Sequence, residues 1–139
     1  MAITSAGIFA GAALYINLVE HPAAMHMGTR YAGASFPDRY HRGAAMQAPL
    51  ALAGLVSGVV AWVTGSGWAW LAGAILLGSV VPVTLLLIGP STNRHLLDPS
   101  LDLDAPRTRA LLSRWWWLHG VRTVLSLIAF ALFAVALVK

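Results

Sequence analysis

Four apolar stretches dominate the chain, at about residues 3–21, 44–63, 68–89 and 115–138. Each approaches the roughly 20 residues that a helix needs to cross the hydrocarbon of a bilayer. Backbone amides find no water there, so segments of this kind must be helical. Two polar connections, 22–43 and 90–114, and one short loop, Thr64-Gly65-Ser66-Gly67, separate them. The expected fold is all-α: an integral membrane four-helix bundle, one four-span domain over 1–139. The short loop makes the second and third spans antiparallel neighbours.

Composition supports the bilayer as the partner of this chain. Only 10% of residues are charged and 58% are hydrophobic, whereas soluble domains carry about 25% charged residues. The net charge of +4 does not point to nucleic acid, because the basic residues flank apolar segments instead of forming a dense stripe. There is no cysteine, which excludes disulfides, thiolate metal sites and cysteine nucleophiles. The N-terminus lacks a basic n-region, so the first span is expected to be retained and not cleaved as a signal peptide.

Arg30, Arg39, Arg42, Arg94, Arg107, Arg109 and Arg114 all fall on the side of the two connections, against Lys139 and the terminal amine on the other. The positive-inside rule then puts the connections in the cytoplasm and both termini outside, as in a multi-pass protein of a bacterial inner membrane.

Helix punctuation is dense. Pro22 predicts a break or kink after the first span. Gly33, Ser35 and Pro37 predict two short pieces between Arg30 and Arg39. Pro82 predicts a kink, with Thr84 satisfying a freed backbone group, and Gly89-Pro90 a further break. Asp104-Ala105-Pro106 is a helix start. Gly7/Gly11 and Gly54/Gly58 are G-x-x-x-G pairs that suit close helix packing, within the bundle or in a homo-oligomer.

The chemistry-bearing residues gather at one end. Asn17, Glu20 and His21 close the first span, Gln47 and Pro49 open the second, and Asn93 ends the third. Trp115, His119, Arg122 and Ser126 share one face of the fourth. Antiparallel spans bring all of these to the side of the connections. Arg122 lies more than a turn beyond the tryptophans, and a charge there is costly unless it faces the bundle interior. The resulting pocket is expected to open toward the cytoplasm or the inner leaflet.

Several stretches then resemble the anthrone-oxygenase-like family of small four-helix membrane proteins from bacteria and fungi. They are Gly7 to Pro22 with its Glu-His-Pro end, Phe36-Pro37-Asp38-Arg39-Tyr40-His41-Arg42, Gly89-Pro90-Ser91-Thr92-Asn93, and Trp116-Trp117-Leu118-His119-Gly120-Val121-Arg122. Fungal members oxidise anthrones to anthraquinones with molecular oxygen. The resemblance implies a membrane oxidoreductase or oxygenase acting on a small apolar, aromatic molecule.

Four readings of the polar set follow. In a cofactor-independent oxygenase, His21 or His119 is the base, Glu20 orients a histidine, Arg122 and Asn93 hold an oxyanion, and Trp116 stacks the substrate, with Asn17, Gln47, Arg39 and Tyr40 as further binding residues. In a metal or haem protein, Glu20, His21 and His119 hold iron or copper, or histidines clasp haem. In a non-enzymatic binding or helper protein, Glu20 and Arg122 form a buried ion pair pinning the first helix to the fourth. A transporter fits worst, because one polar end and one dry end do not make a pore.

Overall fold

The computed structural model describes residues 1–138; Lys139, half of the sparse charge expected at the far end, lies outside them. Four helices are long and apolar enough to cross a membrane: α1 (Ala2–His26), α2 (Thr29–Ser66, regular over Thr29–Ala61), α3 (Trp68–Leu96) and α4 (Pro106–Leu137). Among the described residues there is no strand. The chain is an all-α four-helix bundle.

The turns are set by backbone chemistry. Gly28 joins α1 to α2 at φ 111°, a conformation that disfavours a side chain. Gly65 (φ 93°) and Gly67 (φ 97°) reverse the chain between α2 and α3, and Trp62 and Trp68 pack across that turn with ring centroids 5.8 Å apart and planes tilted by 40°. The third turn, between α3 and α4, holds itself with side chains. Ser100 donates its N–H and hydroxyl to Asp98 Oδ1 at 2.8 and 2.7 Å, and these bonds hold the Asp98 carboxyl below the usual range. Pro106 opens α4 as the sequence predicts, but Asp104 does not cap it. Its carboxylate instead pairs with Arg30 at the start of α2.

The helices outrun the apolar stretches. At ~1.5 Å per residue, the 33 residues of Thr29–Ala61 reach well past a ~30 Å hydrocarbon core. Two expected interruptions, between Arg30 and Arg39 and at Gly89-Pro90, are absent, and at Pro22, where a break or a kink is expected, the chain continues into a following helix. The region around Arg30–Arg39 is one continuous helix, not two pieces, and Gly33 there lies against Leu103 and Thr108. At Pro22 and at Gly89-Pro90 the chain widens into π-turns, Ile16–Glu20 and Val83–Asn93, and continues. The reason at Pro22 is explicit. Proline cannot donate to Leu18, and its ring crowds that carbonyl. The turn loosens so that the His21 N–H bonds Ile16 O, and the indole Nε1 of Trp116 donates to the released Asn17 carbonyl at 2.7 Å. After Pro82, the Thr84 hydroxyl donates to Val80 O at 2.7 Å; the carbonyl that Pro82 leaves without its donor is that of Gly78, so Thr84 does not take the expected role.

Two apolar clusters form the core. One holds Phe9, Leu77, Val80 and Phe133 towards the α2–α3 turn; the other holds Phe36, Ile88, Leu112 and Trp115 towards the connections. Three of the four motif glycines face inward: Gly7 against Phe130, Gly54 against Leu77, and Gly58 against Ala74 and Phe133. Gly11 has no neighbour and is exposed.

Candidate functional site

A cavity of about 150 Å³ lies between the two apolar clusters, and all four helices line it. Helix α1 contributes Phe9, Ile16 and Glu20, and α4 contributes Trp115, His119 and Arg122. Helix α2 presents a face of small residues, Gly43, Ala44, Ala48 and Ala51, with Gln47 in their midst. Most of the surface is apolar, and the polar groups are few and directional.

His119 is held from behind. The Asn17 amide donates Nδ2 to Trp116 O at 3.0 Å, which fixes its orientation. Its oxygen then accepts from Thr123 Oγ1 at 2.6 Å and lies 2.7 Å from His119 Nδ1. An amide oxygen only accepts, so Nδ1 carries the proton and Nε2 keeps the lone pair.

Arg122 stands deeper in the bundle. One guanidinium nitrogen donates to Gln47 Oε1 at 2.8 Å, and the group lies 5.7 Å from the centroid of the Phe9 ring. Among the described residues no carboxylate pairs with it. Arg122 Nε and Gln47 Nε2 are both buried donors without an acceptor. The expected Glu20–Arg122 pair does not form. Glu20 lies a turn nearer the connections and pairs with Arg39 at 3.2 Å, while a second Arg39 nitrogen donates to Ala32 O at 3.0 Å.

The other candidates are placed as follows. Tyr40 lines the cavity, and Asn93 stands behind it, donating to its hydroxyl at 3.3 Å. Asn17 and Trp116 support the site from outside the cavity. The indole on the wall is Trp115, edge-on to Phe36 and 4.7 Å from the ring of His119. His21 is buried but does not line the cavity. Its ring lies 5.2 Å from Trp115, beside a shallow depression with Pro22, Met25 and Trp117. Glu20, His21 and His119 do not converge: among the described residues, no three His, Asp or Glu side chains could share a metal ion. The sequence reading missed Thr123 and Phe9. Thr123 was detectable, four residues after His119 on the same face; Phe9 is one apolar residue in an apolar run and carried no signal.

Fold and site together define a bundle of four apolar helices, suited to a bilayer, around a mostly apolar cavity that carries a few polar groups. The chain matches the family model described as anthrone oxygenase over residues 36–132, and it belongs to that family. The match includes Arg39, Tyr40, Gln47, Asn93, His119 and Arg122; Asn17, Glu20 and His21 precede it. No curated protein and no solved structure matches the chain.

Proposed function

We propose that this protein is a membrane oxygenase acting on an apolar aromatic substrate with an acidic C–H and a carbonyl or phenolic oxygen, as an anthrone has. The observation that carries this reading is the pair of orphaned donors. Arg122 Nε and Gln47 Nε2 are buried without acceptors among the described residues, beside a cavity whose surface is mostly apolar. Buried donors of this kind are rare unless something accepts from them. A cation in hydrocarbon without a carboxylate is equally costly unless a ligand supplies negative charge.

In this reading Phe36, Tyr40 and Trp115 enclose the flat ring system. Arg122 and Gln47 hold the substrate oxygen, and His119 Nε2 removes the proton from the ring carbon. Negative charge moves onto the held oxygen, where the guanidinium stabilises it. The electron-rich carbanion passes one electron to dioxygen, and the substrate radical and superoxide combine at that carbon. The resulting peroxide takes the proton back from His119. Loss of the second C–H proton with cleavage of the O–O bond gives a ketone and water. All four electrons that reduce dioxygen come from the substrate, so no metal is needed. The arginine-rich end faces the cytoplasm in this reading.

The test is oxygen uptake with anthrone by the protein in nanodiscs, with metal content and visible absorbance recorded on the same sample. Wild type is expected to turn over without stoichiometric metal or haem, and His119→Gln and Arg122→Gln to fall by about 100-fold. Full activity in both variants overturns the assignment. Stoichiometric iron or haem would overturn the metal-free mechanism.

A further inference from the structure

We infer that the cavity is loaded sideways from the bilayer, through a gap between α2 and α3 bordered by Ala48, Val81 and Leu85. The inference rests on the proposed binding site but concerns how that site is reached.

The gap has a structural origin. In the half nearer the α2–α3 turn, glycines draw the helices together: Gly54 meets Leu77 and Gly58 meets Ala74. Pro49 of α2 and Pro82 of α3 then follow. Beyond Pro82 the π-turns Val83–Asn93 leave α2 and run along α4. The two helices diverge in a V from Gly54, and the bond from Asn93 of α3 to Tyr40 of α2 bounds the opening towards the connections. Small side chains on α2 keep the V unfilled, because Gly43, Ala44 and Ala48 have nothing long enough to span it.

The surroundings of the gap set the chemistry of what passes. Ala48, Val81 and Leu85 are exposed, and Leu85 is 65% exposed. They lie in the apolar stretches of their helices, so they face acyl chains and not water. Towards the connections, the Glu20–Arg39 pair and Tyr40 stand between the cavity and the headgroup zone. The volume, about 150 Å³, is that of a cavity that takes up one benzene ring. A two- or three-ring molecule with its oxygen on Arg122 and Gln47 therefore extends outward through the gap. The occupant is a bilayer-dissolved polycyclic weak acid, held at its oxygen by the two orphaned donors and at its far rings by the lips of the portal.

The cysteine-free chain permits a direct test. Ala48→Cys and Leu85→Cys are combined, and the pair is bridged in nanodiscs with bis-methanethiosulfonate reagents of increasing span. The probe is 4-nitrophenol dissolved in the lipid, a one-ring weak acid that the cavity holds without reliance on the lips, followed by stopped-flow quenching of tryptophan fluorescence. Bridging is expected to slow association and dissociation together by about tenfold, leaving Kd unchanged, and reductant to restore both. Unchanged rates after bridging overturn the portal while leaving the site intact. Loss of equilibrium binding also overturns it, because the bridge has then altered the site and not the route. Binding that is equal in wild type and Arg122→Gln overturns the site reading, and the portal with it.

Discussion

Asn17 Oδ1 lies 2.7 Å from His119 Nδ1 and decides which ring nitrogen of that histidine is free. The bond crosses from α1 to α4, and the opposite end of the same amide is anchored on Trp116 O. One carboxamide thus orients the proposed base and ties the first helix to the last.

Removing that amide tests its positioning role. Asn17→Ala leaves His119 Nδ1–H and the Trp116 carbonyl without their partner, at about 1–3 kcal/mol for a buried group. The expected readout is a mixture of His119 tautomers in ¹⁵N NMR, with kcat down by about 10- to 100-fold. A purely structural Asn17 would lower stability while the histidine kept a single tautomer.

Arg122 should behave as a site residue that costs the fold. Among the described residues, no carboxylate offsets the desolvation of this guanidinium. Replacing a poorly compensated buried charge with an apolar group of similar volume is often neutral or stabilising by about 1–4 kcal/mol. Arg122→Met is therefore expected to melt no lower than wild type in detergent while losing turnover. Melting well below wild type would show Arg122 holding the bundle together.

Coupling energies should separate the ion pair that forms from the one expected. Glu20 and Arg39 are partly exposed, with side-chain accessibilities of 29% and 22%, so their pair is worth about 0.5–1 kcal/mol at most. A double-mutant cycle of Glu20→Gln with Arg39→Gln is expected to show coupling of that size, weakened by salt. The cycle of Glu20→Gln with Arg122→Gln should show none.

The π-turn at Ile16–Glu20 makes a paired prediction. Trp116→Phe removes the N–H that satisfies the Asn17 carbonyl, at about 1–3 kcal/mol. Pro22→Ala restores a backbone N–H to the helix and lets the turn tighten to α geometry. Added to Trp116→Phe, Pro22→Ala is expected to recover part of the lost melting temperature. Equal losses with and without it would show that the proline does not cause the wide turn.

Packing at the closed end of the V gives a stability test. An added Cβ at Gly58 would lie 2.9 Å from Ala74 Cβ and 3.0 Å from the Phe133 ring. Gly58→Val is expected to destabilise by about 1–3 kcal/mol through overpacking, read as a lower midpoint in detergent. Gly11→Val, with nothing within 4 Å, should leave that midpoint unchanged. A lower midpoint for Gly11→Val would mean that this exposed face packs against a second copy.

The architecture was legible because it depends on one-dimensional quantities. Four apolar runs and one short glycine-rich loop suffice for an antiparallel bundle, since hydrocarbon leaves the backbone no alternative to helix. The shared face of Trp115, His119 and Arg122 followed from helical periodicity, and all three line one cavity. Where a proline allows either a break or a kink, as at Pro22, the helix continues, because the missing donor can be absorbed by a wider turn when another helix supplies the hydrogen bond. At Asn17 that donor is Trp116, 99 residues away.

Partner choice was decided only by the tertiary structure. Glu20 takes Arg39 and Arg122 takes Gln47 because each helix holds its residues at fixed heights, and height is a property of the assembled bundle. A one-residue step, about 100° around an α-helix, likewise puts Glu20 on the cavity and His21 off it. The sequence alone determined that this chain forms four helices long and apolar enough to cross a bilayer, with most of its charged residues in two connections. The packed helices decided which polar groups face one another, and where the bundle stays open to lipid.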